Sequence, residues 1–141
     1  MKISSALLIL ATPLLAIIDP QPPVIPPAPP LDRWTATVTA VHDGDTYTVE
    51  PSAYFFGTRL GGTYHIRLSD VNCPELDAPD PEPGIAAGNY ARTRLLGHTV
   101  QIRSVKQDHF GRWLSPVSID GVDFGAELVG KSMAVPYMVG K

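Results

Sequence analysis

The chain has one cysteine, Cys73, so no intrachain disulfide can form and cysteine usage leaves the redox compartment open. It has no excess of basic residues. Eleven Lys and Arg stand against fourteen Asp and Glu, a formal net charge of −3. Sequence-independent nucleic-acid binders are normally basic, so tight passive binding over a broad surface is excluded while a local basic site is not. No apolar run reaches the ~20 residues of a comfortable membrane span. The longest, Ile3–Ile18, is broken by Ser4, Ser5, Thr12 and Pro13. No internal repeats occur. The four histidines show no metal-ligand spacing and are read as structural or exposed side chains.

Proline, by contrast, is plentiful and unevenly placed: eight of the fifteen fall between Pro13 and Pro30. Residues 1–18, with Lys2 ahead of the apolar run, read as a secretory signal or an uncleaved signal anchor, Ala16 being the nearest approach to a cleavage site. Residues 19–31 contain Asp19–Pro30 (DPQPPVIPPAPP), which can form neither helix nor sheet and reads as an extended polyproline II spacer. The expectation is a secreted or cell-surface protein, with residues 3–18 available as a membrane anchor. Residues 32–141 remain as one domain with one small core, expected to be a monomer.

Trp34–Val41 alternates and is rich in β-branched residues, which predicts a strand; Thr46–Glu50 predicts a second, joined through His42-Asp43-Gly44-Asp45 as a hairpin. A longer excursion, Pro51–Gly62, carries Tyr54, Phe55 and Phe56. Thr63–Val71 is the third expected strand, followed by an acidic, proline-rich loop, Asn72–Pro83. Over Gly84–Leu96 the spacing becomes helical through Ile85, Ala86, Tyr90, Ala91 or Arg94, and Leu95, with Gly97 as a stop. Thr99–Val105 and Trp113–Ile119 read as strands four and five around a turn at Lys106–Arg112. Asp123 is placed to cap a short helix through about Val129. The fold class is α+β, mainly β. Five short strands close most naturally as a small barrel of the OB type, with one main helix and a short second helix.

The residues able to do chemistry each have a plain alternative. Asp43 and Asp45 are hard-cation ligands by type, yet Asp-Gly is also ordinary hairpin chemistry. Arg67, in a half-buried strand, requires an anionic partner, whether a structural acid or a ligand. Glu75 can place or deprotonate a water, or be merely solvated. Arg112, at the end of Asp108-His109-Phe110-Gly111-Arg112, can clamp a phosphoryl group with Arg67, or be a surface residue. Tyr54, Phe55, Phe56 and Trp113 can stack on bases but fit core packing or a hairpin tip better.

Taken in order, D-G-D-T, I-R-L-x-x-V-x-x-P-E, a helix, D-x-F-G-R and G-x-x-x-x-x-E-L-V resemble the staphylococcal nuclease family from about Trp34 to Tyr137. That resemblance implies an OB-fold barrel with helices and a Ca²⁺-dependent phosphodiesterase acting on DNA and RNA. It implies Arg67 and Arg112 as phosphate-clamping catalytic residues and Glu75 as the residue that orients the attacking water. Asp45 and Asn72, with the Cys73 backbone carbonyl, would ligate calcium, and Tyr137 would line the nucleotide pocket. One departure matters: Asn72 stands where the family has a second calcium-binding Asp, which predicts weaker calcium binding. Asp70, where the family often has Gly, is a candidate replacement. The alternative implied is a weakened or inactive nucleic-acid-binding module.

Overall fold

The computed structural model describes residues 33–52, 54–55, 58–59 and 61–137. The apolar segment 1–18, the linker 19–31 and the side chains of Tyr54, Phe55 and Phe56 lie outside the described residues. Among the described residues no helix is long and apolar enough to cross a membrane.

The strands form where β-branched residues alternate. β1 (Arg33–Asp43) and β2 (Thr46–Pro51) pair antiparallel across the Gly44-Asp45 turn. Their inward positions, Ala36, Val38, Tyr47 and Val49, are essentially inaccessible. The register slips twice along β1, between Val38 and Ala40 and between Val41 and Asp43, leaving Thr39 and His42 as extra residues. Such bulges bend a strand and increase its twist, and β1 sits mid-sheet where bending curls its neighbours. The excursion after β2 contributes a two-stranded hairpin, β3 (Tyr54–Phe55) with β4 (Thr58–Arg59). The expected third strand is two segments, β5 (Tyr64–Arg67) and β6 (Val71–Asn72).

Helix α1 (Glu82–Leu95) follows, and of the positions whose spacing marked it Ala91 and Leu95 are buried, Tyr90 is partly buried against the core, and Ile85 and Ala86 are exposed. Gly84, Ala87, Gly88, Ala91 and Leu95 face inward, whereas Ile85 is 40% exposed and Ala86 is exposed. The reason is proximity. A Cβ added at Gly84 would lie 2.7 Å from the Pro74 carbonyl oxygen, so small residues mark the contact face where α1 begins, and Leu95 fills it at the other end. Gly97 ends the helix at φ 76°, as expected, its N–H donating to the Val38 carbonyl.

Beyond α1 come β7 (Thr99–Arg103), β8 (Lys106–Gln107), β9 (Trp113–Leu114), β10 (Val117–Ile119) and β11 (Val122–Asp123). The expected fifth strand is thus divided at Ser115-Pro116, because β9 pairs parallel with β5 while β10 pairs with β7. α2 (Phe124–Gly130) is capped by Asp123, whose carboxylate accepts from the Ala126 N–H at 2.7 Å, and β12 (Val135–Pro136) pairs with β6. The main sheet runs β11-β10-β7-β1-β2-β5-β9-β8. The result is a mostly-β structure with a curled sheet and two helices, of the OB-like kind expected. Phe124 and Leu128 of α2 are fully buried with Tyr47, Ile66 and Leu95, each such side chain contributing about 1.5–3 kcal/mol by burial.

Candidate active site

The turn between β1 and β2 is built to present Asp45. The Asp43 carboxylate accepts from the Asp45 N–H at 3.0 Å, a local bond that favours the turn over continued strand. The Tyr47 hydroxyl donates to the Gly44 carbonyl from below. Gly44 is required by space: a Cβ there would lie 2.6 Å from Cys73 Sγ and 2.8 Å from Ala87 Cβ. The turn, the loop after β6 and α1 therefore meet at Gly44, and Gly84 does the same service where α1 meets the backbone of Pro74 and Glu75.

That packing brings Asp45 to the end of β5. Thr46 pairs with Arg67 across the ladder, and the Leu68 N–H donates to the Asp45 carbonyl at 2.9 Å. The Asp45 Oδ2 accepts from the Cys73 N–H at 2.7 Å, 28 residues away in sequence, and lies 3.1 Å from Arg67 Nη1. Arg67 Nη1 also donates to the carbonyls of Leu68 at 2.8 Å and Val71 at 3.0 Å, and its Nη2 to Asn72 Oδ1. Arg67, Asp45, Asn72 and the Cys73 backbone thus form one cluster. Of the five N–H donors of a guanidinium, these three hydrogen bonds leave two for an anion.

Burial pushes the Asp45 carboxyl up to about 6, and the hydrogen bond from Cys73 and the charge of Arg67 offset it only in part. Desolvation outweighs pairing here, as it does for many buried ion pairs. Burial, with Asp45 nearby, pushes the Cys73 thiol up to about 12. The thiol is buried, packed against Gly44 and held in its neutral form.

The other expected site residues sit around this cluster. Arg112 immediately precedes β9, whose Trp113 and Leu114 pair with Ile66 and Arg67. Its guanidinium, however, is held by Asp108: Nε donates to Asp108 Oδ2 at 2.7 Å, while Asp108 Oδ1 accepts from the N–H groups of Phe110 and Arg112. Gly111 supplies the positive φ of 77° that the turn needs, and the exposed Phe110 ring lies under the guanidinium at 5.3 Å. Glu75 is exposed and makes no hydrogen bond or ion pair among the described residues. Tyr137 is half-exposed beside the cluster's loop, its N–H donating to the Asp70 carbonyl at 2.8 Å.

Asp70 turns its carboxylate toward α2. Its carboxylate packs on Gly125 at the start of α2, 2.9 Å from where a Cβ would be, and Oδ1 is buried with no hydrogen-bond partner among the described residues. Burial and then Asp123 raise its pKa, the effect of Arg67 being minor. Two contributors were missed from sequence: Asp108, which aims Arg112, and the Gly44/Gly84 close approaches. Asp108 stood in plain view as the first residue of D-x-F-G-R. The glycine spacing in α1 was the signal for the second.

The donors suit a hard cation in type. Asp45 and Asn72 oxygens converge on one positive group, the Arg67 guanidinium, and oxygen is what Ca²⁺ takes. They suit it poorly in charge, since a single carboxylate already faces an arginine. Among the described residues no group of three or more His, Cys, Asp and Glu is arranged to hold a metal.

The family model described as staphylococcal nuclease homologue matches residues 65–141. The match opens at β5, so it takes in Arg67, Asn72, Glu75 and Arg112 but not the Asp45 turn. A comparison with curated proteins finds no match.

Proposed function

The chain belongs to the staphylococcal nuclease homologue family, and from that premise we propose that it is a calcium-dependent endonuclease hydrolysing phosphodiester bonds of DNA and RNA. The observation that carries this reading is the cluster itself: Asp45, from outside the matched segment, is joined through Arg67 to Asn72 within it. The curled sheet is read as the family's five-stranded OB barrel, its extra segments being breaks within those strands.

In this reading Asp45, Asn72 and the Cys73 carbonyl would hold the cation, which would supply Lewis-acid polarisation of the phosphoryl oxygen. Arg67, fixed by two backbone carbonyls, presents its remaining N–H donors to the phosphate without reorganising. Arg112 donates from the turn ahead of β9 to the charge that develops as the phosphorus becomes five-coordinate. It acts as a donor and not as an acid, because a guanidinium does not release its proton at ordinary pH. Glu75, exposed and unpaired, orients the water for in-line attack and accepts its proton. Tyr137 borders the nucleotide. Residues 1–18 direct export or anchor the chain through 3–18, residues 19–31 space residues 32–141 from the surface, and that domain acts as a monomer.

One observation favours the alternative, a nucleic-acid-binding module without turnover: the lone carboxylate of the cluster is already neutralised by Arg67. A cleavage assay on single-stranded DNA and RNA with the full chain, with and without millimolar Ca²⁺, separates the two. Calcium-dependent cleavage that is lost in Arg112→Ala supports the nuclease. Retained binding without cleavage at any calcium concentration overturns it in favour of the module.

A further inference from the structure

Two imidazoles converge on one hydroxyl on the face of the sheet that also carries Arg67. His42 Nε2 lies 2.7 Å from Thr48 Oγ1, and His65 Nδ1 lies 3.2 Å from the same oxygen. The ring centroids are 6.0 Å apart and the planes are inclined at 54°. Thr48 pairs directly with His65, two positions along the β2–β5 ladder from the Thr46–Arg67 pair, a distance of about 6.7 Å.

His65 reaches this face by ordinary alternation. His42 reaches it through the second bulge of β1: Val41 pairs with Tyr47 and Asp43 with Thr46, leaving His42 without a partner across the ladder. Bulges re-aim side chains in this way. Both histidines are exposed and Thr48 is half-buried. Asp43, next to His42, is committed to the Asp45 N–H.

The Thr48 hydroxyl can donate to one of these nitrogens and accept from the other, whereas a metal ion needs the lone pair of both, His42 Nε2 and His65 Nδ1. We propose that His42 and His65 form a two-imidazole site for a divalent transition metal of the Zn²⁺, Ni²⁺ or Cu²⁺ class, with water completing the coordination. Imidazole nitrogen suits these ions, whereas the oxygen cluster at Asp45 suits calcium, so the two sites are chemically separate and the proposal does not depend on hydrolysis. A shared ion at about 2.1 Å from each nitrogen takes the place of the Thr48 hydroxyl as their common partner, so both rings turn off that oxygen to meet it. Side-chain rotation of two exposed histidines supplies that without moving the backbone.

The test is titration of the tag-free full chain with zinc chloride at neutral pH, followed by calorimetry and by the imidazole NMR signals. One equivalent binds, the His42 and His65 signals shift together, and those of His98 and His109 do not. His42→Ala and His65→Ala each weaken binding on the order of tenfold or more, and excess calcium does not compete. Binding that survives either substitution, or the absence of saturable zinc binding, overturns the site. Inorganic phosphate that moves the His42 and His65 signals where zinc does not would also overturn it, marking an anion site instead.

Discussion

The two arginines assigned to phosphate are held in opposite ways. Arg67 is enclosed, its side chain 17% accessible, and it donates to two carbonyls and an amide oxygen of residues 68–72 while pairing with the Asp45 carboxylate from a separate stretch of chain. Arg112 is twice as accessible, at 32%, and answers to one carboxylate four residues back in its own turn. One arginine is part of the architecture and the other is mounted on it. An assay that removes either and reads only activity would therefore confuse folding with chemistry at Arg67 and not at Arg112.

The largest effect follows from Arg67→Ala. It strands the Asp45 carboxylate, itself only 6% exposed, and removing one partner of a buried pair costs about 3 kcal/mol or more. Urea denaturation should show that loss together with loss of cleavage. Adding Asp45→Asn to Arg67→Ala removes the stranded charge and should recover on the order of 1 kcal/mol. A double variant no more stable than Arg67→Ala alone would break the contrast.

Arg112→Ala is the complementary case. A partly exposed ion pair contributes about 0–1 kcal/mol, so the denaturation midpoint should barely move. Cleavage should fall about 100-fold or more, the usual cost of losing one donor to a developing charge. A large stability loss here would mean that the Asp108 turn is as architectural as the Arg67 cluster.

How much of this was legible follows from how local each signal is. The first hairpin, the Asp123 cap and the stop at Gly97 each depend on a few adjacent residues, and the structure has them where the sequence placed them. The face of α1 is legible only in part: Ala91 and Leu95 are buried as the spacing implies, but side-chain size does not mark the rest. Ile85 is large and exposed, while Gly84 and Ala87 are small and buried against backbone. The break at Ser115-Pro116 was not visible either, since it arises from two strands choosing different neighbours. The Arg67 cluster joins residues 28 apart, a pairing that only the family resemblance suggested. The His42–His65 convergence depends on a bulge that no spacing announces.

Glycines sharpen the same contrast at smaller scale. Gly44 lies under the Arg67 cluster with no room for a Cβ, whereas Gly111, in the Arg112 turn, has nothing within 4 Å of one and needs only its positive φ. Gly44→Ala should cost about 1–3 kcal/mol through overpacking and disturb calcium binding. Gly111→Ala should cost about 1 kcal/mol through backbone strain. Thermal unfolding of the pair measures the difference, and equal costs would remove it.

Asn72→Asp strengthens the enclosed side by adding a second carboxylate beside Arg67. Ligand charge tunes calcium affinity, so affinity should rise on the order of tenfold, read by calcium titration of tryptophan fluorescence. An unchanged affinity would mean that the cluster's geometry, and not its charge, limits the metal.

The smallest effect lies on the mounted side and is read by pH. Burial alone would raise the Asp108 carboxyl, but hydrogen bonds from the Arg112 guanidinium and from the Arg112 and Phe110 N–H groups outweigh it, and the net shift is downward. The unfolded chain therefore takes up the proton first as pH falls. The stability that Asp108 contributes is whole above the ordinary carboxylate value of about 3.9, and it is lost as pH falls from there through the lower folded value. Asp108→Asn removes that linkage and frees Arg112. Its stability deficit against the parent should be constant from neutral pH down to about 4 and should close below that. Glu127, also shifted downward, stays in both proteins, so its own acid-range contribution cancels in the difference. A deficit that persisted unchanged to the acid limit would show that Asp108 acts through its backbone turn and not through its charge on Arg112.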